Sequence, residues 1–481
     1  MVGNQDLWQD GLFVACTLRD LVPSDHILRR VNKVLDLSWL RGEVKGLYDE
    51  YRGRPSIDPE SAVRLMRAGF FEGIVHDRKL MRQAQVNLAI RWFAGYRLHE
   101  KLPDHSSLTR IRQRWGEERF RRIFQKTVEQ CIQAGLVDGE TVHVDATLIR
   151  ADVSWESLVE RHAEQVIAEN PTRPEDPAPG PEAKKRGRPR AVEKAPKKIS
   201  LTDPNATLTT SCSSYRMEPS YKQHTAVDDR AGVVVDVAVT TGEQSEGEQL
   251  LDQVARIEAN TGPRIATVTA DAAYAYGANY AALEERQIGA VIPPQKETTG
   301  AGRMPLRRFK YDAKNHQVRC PGGKLLRPSG PGERGIWYQA RRKDCADCPL
   351  RGRCFGEKQK RRRVLIVKGY EALLRARHRR ACWSEEDRQR YQRHRWRVEG
   401  IHGESKTQYG LRRAVRRHRW NIAIQAYLTA AVINLKRLAA LLWLIFLWDW
   451  ARERRFEPIP MAWIAQRMPV CENRAAFKRA A

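Results

Sequence analysis

Three acidic residues stand where this sequence could do chemistry. Asp145 lies in the middle of TVHVDATLI (141–149), Asp271 ends the apolar run RIATVTA (264–270), and Glu399 sits in the basic stretch EEDRQRYQRHRWRVEGIHGESKTQY (385–409). Carboxylate oxygens are the hard ligands that divalent cations such as Mg²⁺ take. Three of them on separate segments could therefore meet around metal. Each also has a plainer reading. Asp145 would lie on a wet face or cap a turn, and Glu399 would pair with Arg395 one helical turn away.

The elements that must carry these residues follow from local pattern. In 141–149, Val142, Val144, Ala146 and Leu148 alternate with His143, Asp145, Thr147 and Ile149, the period of a strand. Asp is depleted in strands, so one at the centre needs a reason. YKQHTAVD (221–228) and VVVDVAVT (233–240) read as a hairpin turning at Asp228, Asp229 and Gly232. Helices are expected over 151–170, 247–260 and 279–287, and short strands over 264–270 and 289–293. Strands mixed with helices after a leading hairpin predict an α/β sheet flanked by helices. In 385–409, a 3.6-residue period puts Arg395, Glu399, His402 and Lys406 on one face. The apolar stretch 421–447 predicts a long helix packed on the sheet.

Residues 1–135 read as all helical. Asp58-Pro59-Glu60 has the form of an N-cap, a Pro at the first helical position and an acidic first turn. Further helices are expected over 25–39, 61–74 and 78–92. In LPDHSSLTRIRQRWG (102–116), Asp104 or Ser106 would cap a helix exposing Arg110, Arg112 and Arg114. That suits a helix-turn-helix-type DNA-binding unit, although a solvated basic helix in an ordinary bundle has the same pattern.

Two stretches stand apart. Residues 171–200 are rich in Pro, Glu and Lys and carry too little apolar surface to offset the entropy of ordering, which predicts a disordered insert. Its KKRGRPR (184–190), with Arg188 at the Gly-Arg-Pro core, has the form of a minor-groove-binding AT-hook or of a plain basic linker. Residues 301–380 hold Cys320, Cys345, Cys348 and Cys354. A C-x2-C pair with two further Cys permits tetrahedral thiolate binding of zinc; a cluster of reduced structural thiols is the alternative. Basic runs at 307–310 and 358–363 suit contact with phosphate.

Composition narrows the class. The 481 residues carry 85 Lys plus Arg against 58 Asp plus Glu, a net charge of +27 that suits a polyanionic partner. The most apolar stretch, Leu438 to Trp448, is too short to span a membrane. Neither a signal peptide nor a disulfide framework is expected: the start lacks an apolar run, and the Cys count is nine. The composition therefore points to a soluble intracellular protein with a nucleic-acid partner and no membrane.

Several segments, in order, resemble RNase H-like DDE transposases of bacterial insertion sequences. They are LPDHSSLTRIRQRWG, VDATLIRADVSW around Asp145, SLTDPNA (200–206), ADAAY around Asp271, the cysteine-bearing insertion, and RVEGIHGESK around Glu399 followed by NLKRL. The resemblance spans roughly 45–440. It implies an RNase H-like mixed sheet split into residues 136–300 and 381–450. It also implies a helical DNA-binding domain over 1–135, the insertion over 301–380, and a basic tail over 451–481. Double-stranded DNA is the partner it implies, and a cytoplasmic, nucleoid-associated place.

Asp145, Asp271 and Glu399 would then be the catalytic triad holding two Mg²⁺ or Mn²⁺ ions for strand cleavage and strand transfer. Arg395 and Lys406 would grip phosphate, and the chain would work as a homodimer on DNA ends and target. The family's Tyr-x2-Arg-x3-Glu-x6-Lys signature is met by Arg395, Glu399 and Lys406. Gln392 replaces its Tyr, with Tyr391 one residue early, and Ala273 stands where Gly is frequent. A catalytically inactive DNA-binding derivative, or a nuclease that cuts without joining, fits the same residues.

Overall fold

The computed structural model describes residues 16–49, 56–161, 197–210, 214–262, 265–297, 303–357 and 359–453. Arg188, the 184–190 motif and all but the first residues of the 451–481 tail lie outside these.

The N-terminal region is helical. Short helices over Ile27–Asn32 and Leu40–Val44 precede α1 (Pro59–Phe71), whose N-cap Asp58 accepts from the Ser61 amide with Pro59 at the first position, as expected. The helix expected over 78–92 is two, α2 (Asp77–Val86) and α3 (Leu88–Ala94), because Asn87 leaves the helical region and caps the second through the Ile90 amide. The 25–39 helix shrinks to Ile27–Asn32. The long α4 (His105–Gln133) is capped by Asp104 and kinked at Gly116.

The mixed sheet follows. Strand β1 (Thr141–Arg150) is central, flanked by short β2 (Leu158–Arg161), β3 (Lys197–Ser200) and β4 (Thr207–Thr209) in sequence. β5 (Glu218–Asp228) and β6 (Val234–Thr241) form the expected hairpin. After α5 (Glu246–Thr261) come β7 (Thr267–Ala270), α6 (Gly277–Glu285) and β8 (Gly289–Val291). The order is β4-β5-β1-β7-β8 with β6 on β5; β1 runs antiparallel to β5 and parallel to β7, as β7 does to β8. This is a mixed α/β sheet flanked by helices, as expected. One expectation fails here. Residues 158–161 do not continue a helix from 151. They pair with 197–200, an end of the expected disordered insert, so a nonlocal ladder overrides local helix propensity.

The insertion is a second small sheet: β9 (Lys310–Asp312), β10 (Gln317–Arg319), β11 (Leu325–Gly332), β12 (Gly335–Gln339) and β13 (Arg363–Val367), antiparallel in order. It has its own core around Phe309, Val318, Leu326, Tyr338 and Ile366. It returns to the main body where Gly369, at φ +69°, crosses Gly277. A Cβ on Gly277 would stand 2.5 Å from the Lys368 carbonyl oxygen, so the crossing needs glycine.

Helix α7 (Tyr370–Ala381), then α8 (Glu385–Thr407) and α9 (Arg419–Glu453), complete the fold. α9 ties the halves together. Asn434 bonds the Val234 amide and carbonyl, each at 2.9 Å, and the Thr127 hydroxyl of α4. Lys436 and Arg437 clamp Glu404 of α8 at 2.6 and 3.2 Å. No helix among the described residues is long and apolar enough to cross a membrane.

Candidate active site

β1 delivers Asp145 and β7 delivers Asp271 to the same place. Their parallel register pairs Val144 with Ala270, so the next residue on each strand is the aspartate. Asp271 caps the turn Ala272–Tyr274 by accepting from the Ala273 amide at 2.8 Å. The turn uses the backbone of position 273, so Ala serves there as well as Gly. Both aspartates line a cleft of about 870 Å³ with Glu246, Ala273, Lys222, Lys406, Arg150, Arg216 and Arg412.

Burial is the main force on the Asp145 carboxyl. It pushes the pKa up to about 7, and the nearby charges of Asp271, Glu246 and Glu399 push the same way. Burial also raises Asp271. His402, whose Nδ1 lies 3.6 Å from the Asp145 carboxylate, is pushed down to about 3 by burial, so it stays neutral and cannot compensate. Its Nε2 meets the Thr225 hydroxyl at 3.1 Å, holding α8 against the sheet.

Glu399 is placed differently. Its side chain is 62% exposed and pairs with Arg395, itself 80% exposed, at 3.6 Å; it acts on Asp145 through its charge without lining the cleft. The face expected to carry Arg395, Glu399, His402 and Lys406 together is therefore split. The first two point to solvent, His402 is buried, and Lys406 reaches the cleft, where burial and Arg412 lower its pKa. Tyr391 stacks on His394 with ring centres 6.0 Å apart, and its hydroxyl feels the charges of Asp271 and Asp145. The one-residue shift from the family spacing leaves this Tyr beside the site.

Among the described residues, no three His, Cys, Asp or Glu side chains are gathered tightly enough to cage an ion as they lie. The donor set still suits a hard cation: it is all oxygen, and Asp145 and Asp271 each follow directly on the paired Val144 and Ala270 of neighbouring strands.

Sequence reasoning missed Glu246, Lys222, Arg150, Arg216 and Arg412. Glu246 reads locally as a first-turn acid favoured by the helix dipole, and only the packing of α5 shows that it faces the cleft. A further missed residue is Asp229, just past the C-terminal end of β5. It bonds His143 Nε2 at 3.1 Å, Arg393 Nε at 2.9 Å and Arg397 Nε at 3.4 Å, pinning α8 to the sheet.

Of the N-terminal arginines, Arg110 is exposed, and Arg114 is exposed with its guanidinium over Tyr48 at 4.7 Å. Arg112 is a correction. It is 2% exposed and grips Asp77 with two bonds of 2.7 and 2.8 Å, so it holds α4 to α2 and has no free face for DNA. The four cysteines of the insertion surround a cavity of about 20 Å³; Cys320 and Cys348 both approach Gly322, and Cys354 feels the other three thiols.

Residues 16–114 match a family model described as a transposase domain (DUF772), and residues 319–439 match one described as a transposase DDE domain. The second match covers Arg395, Glu399 and Lys406. Similar solved structures include a piggyBac transposase synaptic complex with hairpin DNA, 10% identical with a TM-score of 0.29, the match covering 94% of this chain and 84% of that one. Another is a Mos1 transposase paired-end complex with the left transposon end, 13% identical with a TM-score of 0.16, covering 53% and 65%. No curated protein matches the chain.

Proposed function

Because the chain belongs to the DDE transposases, we propose that it cleaves DNA at the ends of its own element and joins the freed 3′ ends to target DNA, with the cleft at Asp145 and Asp271 as its catalytic centre. The observation that carries this is the strand register, which sets two acidic residues side by side at the floor of a cleft walled by basic side chains. Lys222, Lys406, Arg150, Arg216 and Arg412 would hold the phosphates flanking the scissile bond, each as a point charge or planar fork. Arg395 and the exposed Arg110 and Arg114 would extend that grip along double-stranded DNA.

Asp145 and Asp271 would hold divalent metal, Mg²⁺ or Mn²⁺, with Glu399 completing the triad from the neighbouring helix. When bound, such ions neutralise the negative phosphoryl oxygens and activate the attacking hydroxyl group. The protein's own work is to place those carboxylates. β1 and β7 fix two of them, while the neutral His402 and the Asp229 network seat α8 so that Glu399 stays within electrostatic reach of Asp145. In the insertion, Cys320, Cys345, Cys348 and Cys354 would bind one structural zinc. Cys345→Ser should then lower the bound zinc and loosen that sheet; unchanged metal content and melting would refute the zinc site. We also propose that the chain acts as a homodimer on paired ends.

The test is cleavage of labelled DNA carrying the sequences that flank the gene, with Mg²⁺, Mn²⁺ or EDTA. Cutting should need metal and vanish in Asp145→Asn, Asp271→Asn and Glu399→Gln while end binding survives. End binding with no cutting under any metal would instead favour the inactive DNA-binding reading.

A further inference from the structure

We propose that Glu246 is a fourth carboxylate of the metal site, held beside Asp271 by the packing of α5. This rests on the metal-dependent reading of the cleft. Three structural facts carry it.

The first is place. Glu246 lines the same cleft as Asp145 and Asp271, while Glu399 faces solvent. The second is rigidity. The start of α5 is pressed against the Asp271 turn: a Cβ on Gly247 would come within 2.9 Å of the Ala273 carbonyl oxygen and the Tyr276 ring. Asn279 Nδ2 donates to the Gly247 carbonyl at 2.7 Å and to the Tyr274 carbonyl at 3.0 Å, and the Ser245 and Tyr276 hydroxyls meet at 2.5 Å. The helix start is therefore held against the Asp271 turn, and its first residue, Glu246, keeps its place on the cleft wall.

The third is an unsatisfied group. Tyr274 is fully buried and its hydroxyl has no hydrogen-bond partner among the described residues. It lies within electrostatic reach of Asp145, Glu246 and Asp271. An orphaned buried hydroxyl costs on the order of 1–3 kcal/mol, so its persistence beside three carboxylates points to a ligand of the cleft as its partner. A hydrated divalent cation brings coordinated water whose O–H groups can donate both to the oxygen of such a hydroxyl and to the carboxylates.

Without a cation, Glu246 is balanced by Lys222, whose Nζ stands 3.1 Å from Oε1 and also donates to the Gln244 carbonyl at 2.9 Å. Lys222 is thus a competitor that a divalent ion displaces. An ordinary ion pair at a helix start would have the same contact but no effect on metal affinity, and this separates the two roles.

The experiment is a Mn²⁺ titration of the full-length chain followed by electron paramagnetic resonance, with melting temperature as the folding check. Glu246→Gln should weaken Mn²⁺ binding by roughly 10-fold or more, the scale seen for groups that support a metal site. Glu246→Asp should recover part of the loss, Tyr274→Phe should give a smaller loss, and Lys222→Met should tighten binding. Wild-type Mn²⁺ affinity in a folded Glu246→Gln protein overturns the proposal, provided Asp145→Asn binds poorly. If Asp145→Asn also binds Mn²⁺ like wild type, the metal reading of the cleft fails first and the role of Glu246 with it.

Discussion

Asp145, in the middle of the β1–β5 pair, and Asp229, just past one end of it, face the same helix, and they are nearly equally buried, at 20% and 17% exposed. Their surroundings are opposite. Arg393, Arg397 and His143 converge on Asp229, and the hydrogen bonds from His143 and Arg393 outweigh burial and hold its carboxyl well below the usual range. Asp145 has other carboxylates and a neutral His402 for neighbours, and its pKa climbs to about 7. Equal burial with opposite compensation separates an aspartate that holds the fold together from one poised to bind a cation.

Four substitutions break or sharpen that contrast. The largest effect belongs to Asp145→Asn, which should take metal-dependent cleavage to the detection limit while leaving the melting temperature of the metal-free protein at or above wild type. A clear fall in melting temperature would place Asp145 with Asp229 as a structural residue.

Asp229→Asn should act the other way, costing about 3 kcal/mol in chemical denaturation because Arg397 loses its buried partner. The pH dependence has a definite sign. The Asp229 carboxyl is depressed in the folded state, so its contribution is present above the ordinary carboxylate pKa of about 4 and is lost as pH falls. The variant should flatten the acid limb of stability, whereas Asp145→Asn should leave that limb in place.

The N-terminal region repeats the comparison on basic residues. Arg112→Ala strips one guanidinium from buried Asp77, which Arg416 also contacts at 2.7 Å, and should cost about 2 kcal/mol in denaturation. Arg110→Ala should change stability by less than about 0.5 kcal/mol. It should instead lower the salt dependence of DNA binding by about one unit of slope. An unchanged slope would remove Arg110 from the interface.

Some of this was legible in the chain. β1 announces itself by alternation with an aspartate at its centre, the β5–β6 hairpin by its turn residues, and α1 and α4 by Asp58-Pro59 and Asp104. Each depends on neighbours within a few positions, where propensity, capping and period operate. The pairing of 158–161 with 197–200 was not legible, because a ladder closed across dozens of residues leaves no local mark.

The split of α8's polar face and the loss of Arg112 to the interior have the same origin. Helical period says which residues share a side and nothing about which side is covered, and Asp77, Arg112 and Arg416 meet only when two helices and the loop between α8 and α9 pack together. Glu246 is the clearest instance. By sequence alone it is a first-turn acid on an amphipathic helix. The close approach of Gly247 to the Asp271 turn makes it a wall of the cleft. The sequence by itself determined the carboxylates and the strands that carry two of them. Only the tertiary structure decided which acids face one another and which find arginines, because charge compensation is a property of neighbours in space.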